Sequence, residues 1–155
     1  MKIESIRFFP SCKKHLHRFK YRCLIGVGGN EGDVKKRFVA LYRFLMRDRR
    51  FRVIQTSPVF QNPPFGYVEQ NDFYNAVVVI ETSLYANALL KVLLHIEKCF
   101  KRQRSFKNAP RTLDLDIIFF DNLRQKQKHL TLPHPHWEKR LSVVVPFVML
   151  KRCKG

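Results

Sequence analysis

Asp114 and Asp116 stand two residues apart in the run Leu113–Phe120, L-D-L-D-I-I-F-F, in which every other residue is apolar. A run of that length, rich in Ile, Leu and Phe, reads as a buried strand. Side chains alternate along a strand, so both carboxylates point to one face, roughly 6–7 Å apart. Two like charges placed that way repel, and burial raises their pKa values. A hard cation between them removes the conflict, and Mg²⁺ held by two carboxylates plus substrate phosphates is the common case. Taken alone, a D-x-D more often marks a strand emerging into solvent. Its neighbours reverse that reading.

Those neighbours are basic. Arg102, Arg104 and Arg111 lead into the strand, and no acid lies between Glu97 and Asp114. Guanidinium groups beside a dicarboxylate describe a phosphate site, because Arg meets phosphoryl oxygens in a planar fork while a metal neutralises the remaining charge. Phosphoryl transfer needs mainly positioning and charge stabilisation, so Asp, Mg²⁺ and Arg suffice without a covalent nucleophile.

The run Lys107–Ile118, K-N-A-P-R-T-L-D-L-D-I-I, resembles the signature of the 6-hydroxymethyl-7,8-dihydropterin pyrophosphokinases of folate biosynthesis. Three further stretches resemble that family in the same order: Leu24–Asn30 (L-I-G-V-G-G-N), Asn62–Thr82 with its P-P-x-G loop and F-Y-N-A strand, and Leu130–His134 (L-T-L-P-H) followed by Arg140. The resemblance implies Mg²⁺-dependent transfer of diphosphate from ATP to the pterin hydroxymethyl group, releasing AMP. It implies that Asp114 and Asp116 hold two Mg²⁺ ions and that Arg102 and Arg111 stabilise the transferring phosphates. Pro64, Phe65, Gly66, Phe73, Asn75 and Asp114 would meet the pterin. Glu97, Arg102, Arg104, Arg111, Thr131, His134 and Arg140 would line the ATP site.

Those roles are chemically sound. A flat heteroaromatic ring needs an aromatic face and a side chain that both donates and accepts, which Phe73 and Asn75 supply. Two positions depart from the family pattern. Asn108 stands where an aromatic is usual, with Phe106 the nearest ring, and Ser142 stands where a Phe commonly closes the other face of the pterin. Trp137 is the candidate to supply that face instead.

Around the motifs, periodicity places the elements. Tyr21–Val27 reads as a strand ending in a Gly-rich turn too short for a P-loop. Asp33 caps a helix with Val34, Phe38, Leu41 and Leu45 on its apolar face. Phe51–Phe60 and Phe73–Glu81 read as strands, Leu84–Phe100 as a helix with Leu89, Val92, Leu93, Ile96 and Phe100 inward, and Leu113–Phe120 as the last strand. The expected fold is α+β, a ferredoxin-like βαββαβ plait with helices on one face of an antiparallel sheet. Residues 1–20 are expected to form a basic structural extension, in which Ile3–Phe9 alternates loosely enough for an added edge strand, and residues 21–155 a single pyrophosphokinase domain. A transit peptide is the rival for the first segment, which is poor in Ser.

With 155 residues, 45% of them apolar, and 14 Phe, the chain has the material for one core. No apolar stretch approaches membrane-spanning length. Cys12, Cys23, Cys99 and Cys153 form no C-x-x-C pair and are expected to be reduced. Cys12, His15, His17 and Cys23 match no standard zinc spacing. The net charge of +18 suggests nucleic acid, and an RNA-binding module of the same fold is the alternative function. However, no candidate strand carries the aromatic-basic signature of such a module, and the two aspartates would repel a phosphate backbone. The expectation is a cytoplasmic transferase, monomeric or weakly dimeric, with no specific nucleic-acid or membrane partner.

Overall fold

The computed structural model describes residues 1–13, 19–64, 69–101 and 110–150. In chain order the elements are β1 (Lys2–Glu4), β2 (Ser11–Cys12), β3 (Tyr21–Gly29), α1 (Val34–Arg47), β4 (Phe51–Thr56), β5 (Val59–Asn62), β6 (Phe73–Thr82), α2 (Ala86–Cys99), β7 (Asp114–Phe120), β8 (Gln125–Lys126), β9 (Thr131–Leu132), a 3₁₀ turn (Trp137–Lys139) and α3 (Leu141–Val148).

The main sheet has the order β1-β5-β6-β3-β7, with β4 also on β6 and β2 on β4, and every pairing is antiparallel. Leaving aside the N-terminal strands, this is the strand order of the expected βαββαβ plait. The α1 helix starts where Asp33 accepts a hydrogen bond from the Lys36 N–H at 3.1 Å, satisfying one of the first-turn donors that a helix leaves open. Val34, Phe38, Leu41, Tyr42 and Leu45 then recur at helical spacing and are buried. In α2, Ala86, Leu89, Leu93 and Ile96 do the same. Both helices share one core with Cys23, Ile25 and Val27 of β3 and with Leu115, Ile117 and Phe120 of β7.

The strand expected over Phe51–Phe60 is two strands, and Pro58 is the physical reason. Proline has no N–H for the ladder. The Ser57 hydroxyl accepts from the Val77 N–H at 2.9 Å, and the Ser57 N–H donates to the Val77 carbonyl at 3.0 Å, so β6 stays satisfied across the break.

The N-terminal residues form part of the sheet and of the core. The added edge strand is Lys2–Glu4, paired with Val59–Gln61, and is shorter than Ile3–Phe9. A tight turn joins Ile6 to Phe9 by two backbone hydrogen bonds. Beyond it, Phe9 is fully buried, its ring 5.7 Å from Phe38 and 6.2 Å from Tyr42. Lys35 of α1 reaches Glu4 at 2.8 Å and clips β1 to the helix layer.

The opposite face of the sheet is covered in part by α3, an element absent from the sequence expectation. Its β-branched run Val143–Val145 and the internal Pro146 argue against a helix locally. Burial decides otherwise. Val143 packs with Leu24, Val77 and Ile118, flanked by Trp137, Phe119 and Phe147.

Cys12 is disulfide-bonded, which corrects the expectation of reduced thiols at that position. Cys23 and Cys99 are free, and Cys153, His15 and His17 lie outside the described residues. No helix among the described residues is long and apolar enough to cross a membrane.

Candidate active site

Strand β3 runs between β6 and β7 and carries glycine at alternate positions, Gly26 and Gly28. Directly opposed residues of antiparallel strands put their side chains on the same face. Gly28 opposes Asn75 on one side and Asp114 on the other, and Gly26 likewise opposes Val77 and Asp116. Asn75, Asp114 and Asp116 therefore share one face. Asn75 and Asp114 lie two strand spacings apart, roughly 9–10 Å, with no side chain between them. An added Cβ at Gly28 would stand 2.7 Å from Asn75 Oδ1, so the Asn75 amide leans over the glycine.

Arg111 closes the end of this face. Its Nη1 donates to Asp114 Oδ2 at 3.1 Å, and its guanidinium carbon stands 5.3 Å from the centre of the Phe73 ring. Arg111 and Asp114 are both mostly buried, with 18% and 23% of their side chains exposed, so solvent screens this pair less than a surface one. One cation thus touches both an aromatic ring and a carboxylate. In the sequence, strand alternation singles out Asp114, the basic approach to that strand singles out Arg111, and the family resemblance singles out Phe73. Their meeting depends on register across three strands.

Glu97 lies in the last turn of α2. It is 2% exposed and its Oε2 accepts from the Leu115 N–H at 2.8 Å. A carboxylate at the C-terminal end of α2 therefore grips the β7 backbone between the two aspartates. His134 is half-buried, and its N–H donates to the Ile118 carbonyl at 2.9 Å, setting the loop after β9 against β7. Burial pushes the His134 imidazole below its ordinary pKa. The Arg140 charge adds to that effect, and the Asp114 charge opposes it. The imidazole stands within electrostatic reach of the Asp114 carboxylate.

Thr131 is partly buried in β9, Arg140 is exposed ahead of α3, and Pro64 is half-buried in the chain beyond β5. Phe65, Gly66, Arg102, Arg104, Phe106 and Asn108 lie outside the described residues. Trp137 does not join Phe73. Its half-buried ring packs 4.9 Å from Phe119 and 5.9 Å from Phe147, towards the far end of β7, against the apolar cluster that α3 covers.

The donor set fits a hard divalent cation. Asp114 and Asp116 offer oxygens on one face, and among the described residues no group of three or more His, Cys, Asp or Glu is placed to hold a metal. Two carboxylates are what Mg²⁺ takes when substrate phosphates complete its shell, whereas an all-protein cage needs more ligands.

Asn30 was visible in the sequence only as the end of the G-G-N turn. It is almost fully buried, and its side chain bonds both Arg111 and the segment ahead of Phe73. No local pattern signals bonds to residues so distant in the chain.

Residues 24–152 match the family model described as 7,8-dihydro-6-hydroxymethylpterin-pyrophosphokinase. A Campylobacter jejuni protein named 2-amino-4-hydroxy-6-hydroxymethyldihydropteridine pyrophosphokinase is 49% identical over 147 residues, covering 95% of this chain and 94% of that protein. A Helicobacter pylori protein of the same name is 40% identical, covering 95% of this chain and 91% of its own. One from Methylorubrum extorquens is 33% identical over 81% of this chain and 79% of its own.

Proposed function

Because the chain belongs to the 7,8-dihydro-6-hydroxymethylpterin-pyrophosphokinase family, we propose that it transfers diphosphate from ATP to 6-hydroxymethyl-7,8-dihydropterin in folate biosynthesis. Mg²⁺ is the metal of this reading, two ions being held by Asp114 and Asp116. The observation that carries it is the row Asn75–Gly28–Asp114 with Arg111 bridging Phe73 and Asp114. Groups suited to a flat polar ring and groups suited to phosphates meet there on one sheet face.

In this reading Phe73 stacks on the pterin and Asn75 pairs with its edge, assisted by backbone groups of Pro64, Phe65 and Gly66. Gly28 leaves the floor between Asn75 and Asp114 open. Arg102 and Arg111 hold the phosphates and stabilise charge as the β,γ-diphosphoryl group transfers. The substrate hydroxyl oxygen bonds to the β-phosphorus while the bond to the α,β-bridging oxygen breaks. AMP leaves with that oxygen, and the hydroxyl proton passes to solvent. Metal held by Asp114 and Asp116 would supply the countercharge that phosphate oxygens need beside two carboxylates. Arg104, Thr131, His134 and Arg140 line the nucleotide side. Glu97 serves the same side through β7, whose backbone it holds between the metal-binding residues. In this reading the enzyme works in the cytoplasm as a monomer or weak homodimer.

The deciding experiment incubates the protein with ATP, Mg²⁺ and the hydroxymethyl-dihydropterin and identifies the nucleotide product. AMP supports diphosphate transfer, ADP indicates ordinary kinase chemistry, and no product removes the reading.

Two substitutions test the pterin half. Asn75→Ala is expected to weaken pterin binding by about 1–3 kcal/mol, the cost of leaving ring polar groups unpaired, with ATP affinity nearly unchanged. Gly28→Ala is expected to act in the same direction, because its methyl displaces the Asn75 amide. Calorimetry of each ligand separately checks both. Loss of ATP binding with pterin binding intact would reverse the two subsites.

A further inference from the structure

Asn30 directly follows β3 and is 3% exposed. A buried amide needs partners for its donors and acceptor, and here each is met. Its Nδ2 donates to Gln70 Oε1 at 2.7 Å and to the Asn71 carbonyl at 3.0 Å, while Oδ1 accepts from the Arg111 N–H at 2.9 Å. Its own backbone N–H donates to the Arg111 carbonyl at 3.0 Å, and the Glu31 N–H reaches the same oxygen at 3.2 Å. Arg37 of α1 reinforces the junction by donating to the carbonyls of Glu31 at 2.6 Å and Thr112 at 2.9 Å. Three segments remote in sequence therefore meet at one side chain: the end of the central strand, the approach to Phe73 and Asn75, and the backbone of Arg111.

We propose that Asn30 is a positioning residue for Arg111, holding that backbone in register with the approach to Phe73 so that the guanidinium stands between the Phe73 ring and Asp114. This rests on the reading of the site given above, in which Arg111 contacts the phosphates. The geometry separates positioning from mere turn formation. Asn30 bonds only the backbone of residue 111, so those bonds persist in Arg111→Ala. Any structural contribution of Asn30 survives that change, whereas a contribution made through the guanidinium vanishes with it.

The test is a double-mutant cycle on the affinity for α,β-methylene-ATP with Mg²⁺, measured by calorimetry on proteins whose thermal unfolding shows them folded. Asn30→Ala is expected to weaken analogue binding about tenfold in the otherwise unchanged protein, and by less than about twofold in the Arg111→Ala background. If Asn30→Ala fails to fold, Gln70→Ala replaces it, because it removes one of the amide's partners. A smaller loss is then expected, which also disappears in the Arg111→Ala background. Equal losses in both backgrounds, or no loss in either, overturn the inference while leaving the proposed function standing. A parent protein that binds no analogue overturns both.

Discussion

Asp116→Asn is expected to lower diphosphate transfer on the order of a hundredfold to a thousandfold while pterin binding stays within experimental error of the parent. The loss is of the size produced by removing one preorganised charge-stabilising group. The substitution keeps the shape of the side chain and removes the charge proposed to draw the cation. Asp116 shares a face with Asp114 but sits one row further from Asn75, opposite Gly26, so the proposed ring-binding groups are left alone. Asp114→Asn should cost at least as much, since it also weakens the partner that holds Arg111 at 3.1 Å. Steady-state turnover under saturating Mg²⁺ and ATP is the measurement. Retention of more than about a tenth of the parent rate by either variant, a deficit under about 1.4 kcal/mol, would remove these carboxylates from the metal site.

Phe9→Ala is expected to destabilise the protein by about 3–5 kcal/mol, the usual range for emptying a buried Phe site. Phe9 has no exposed surface and its ring meets Phe38 and Tyr42 of α1, while Phe8 stacks on Tyr42 from the neighbouring position at 4.3 Å. Against a total stability of about 5–15 kcal/mol, such a loss is severe. Urea unfolding followed by fluorescence or circular dichroism checks it. A change under about 1 kcal/mol would show that the first strands sit on a core complete without them.

Much of this architecture was legible because one period ran through each element. Val34, Phe38, Leu41 and Leu45 announce α1, and Asp33 announces its start. The apolar run of β7 with two aspartates on one face announces both a strand and a site. Three features were hidden, each for a physical reason. The α3 helix contradicts its local propensities and is decided by burial against Leu24, Val77 and Ile118. Phe9 follows a weakly patterned stretch, and nothing local says that its ring fills a gap beside α1. Asn30 is the clearest case, since its partners Gln70, Asn71 and Arg111 are tens of residues away in the chain and only the folded register brings them to it.

The central position of β3 has a consequence for how the molecule reaches its native state. Tyr21 must find Thr82, and Cys23 must find Phe120, before β3 is paired on both edges. Such distant closures cost chain entropy before they return any stabilisation, and they slow folding relative to local pairings. During synthesis the β3 strand emerges long before β7, which alone completes its second edge. The glycine floor therefore acquires its aspartates only as the sheet itself is finished. Conditions that stall late strand pairing would leave an apolar strand with an open edge, the kind of intermediate that associates with other chains.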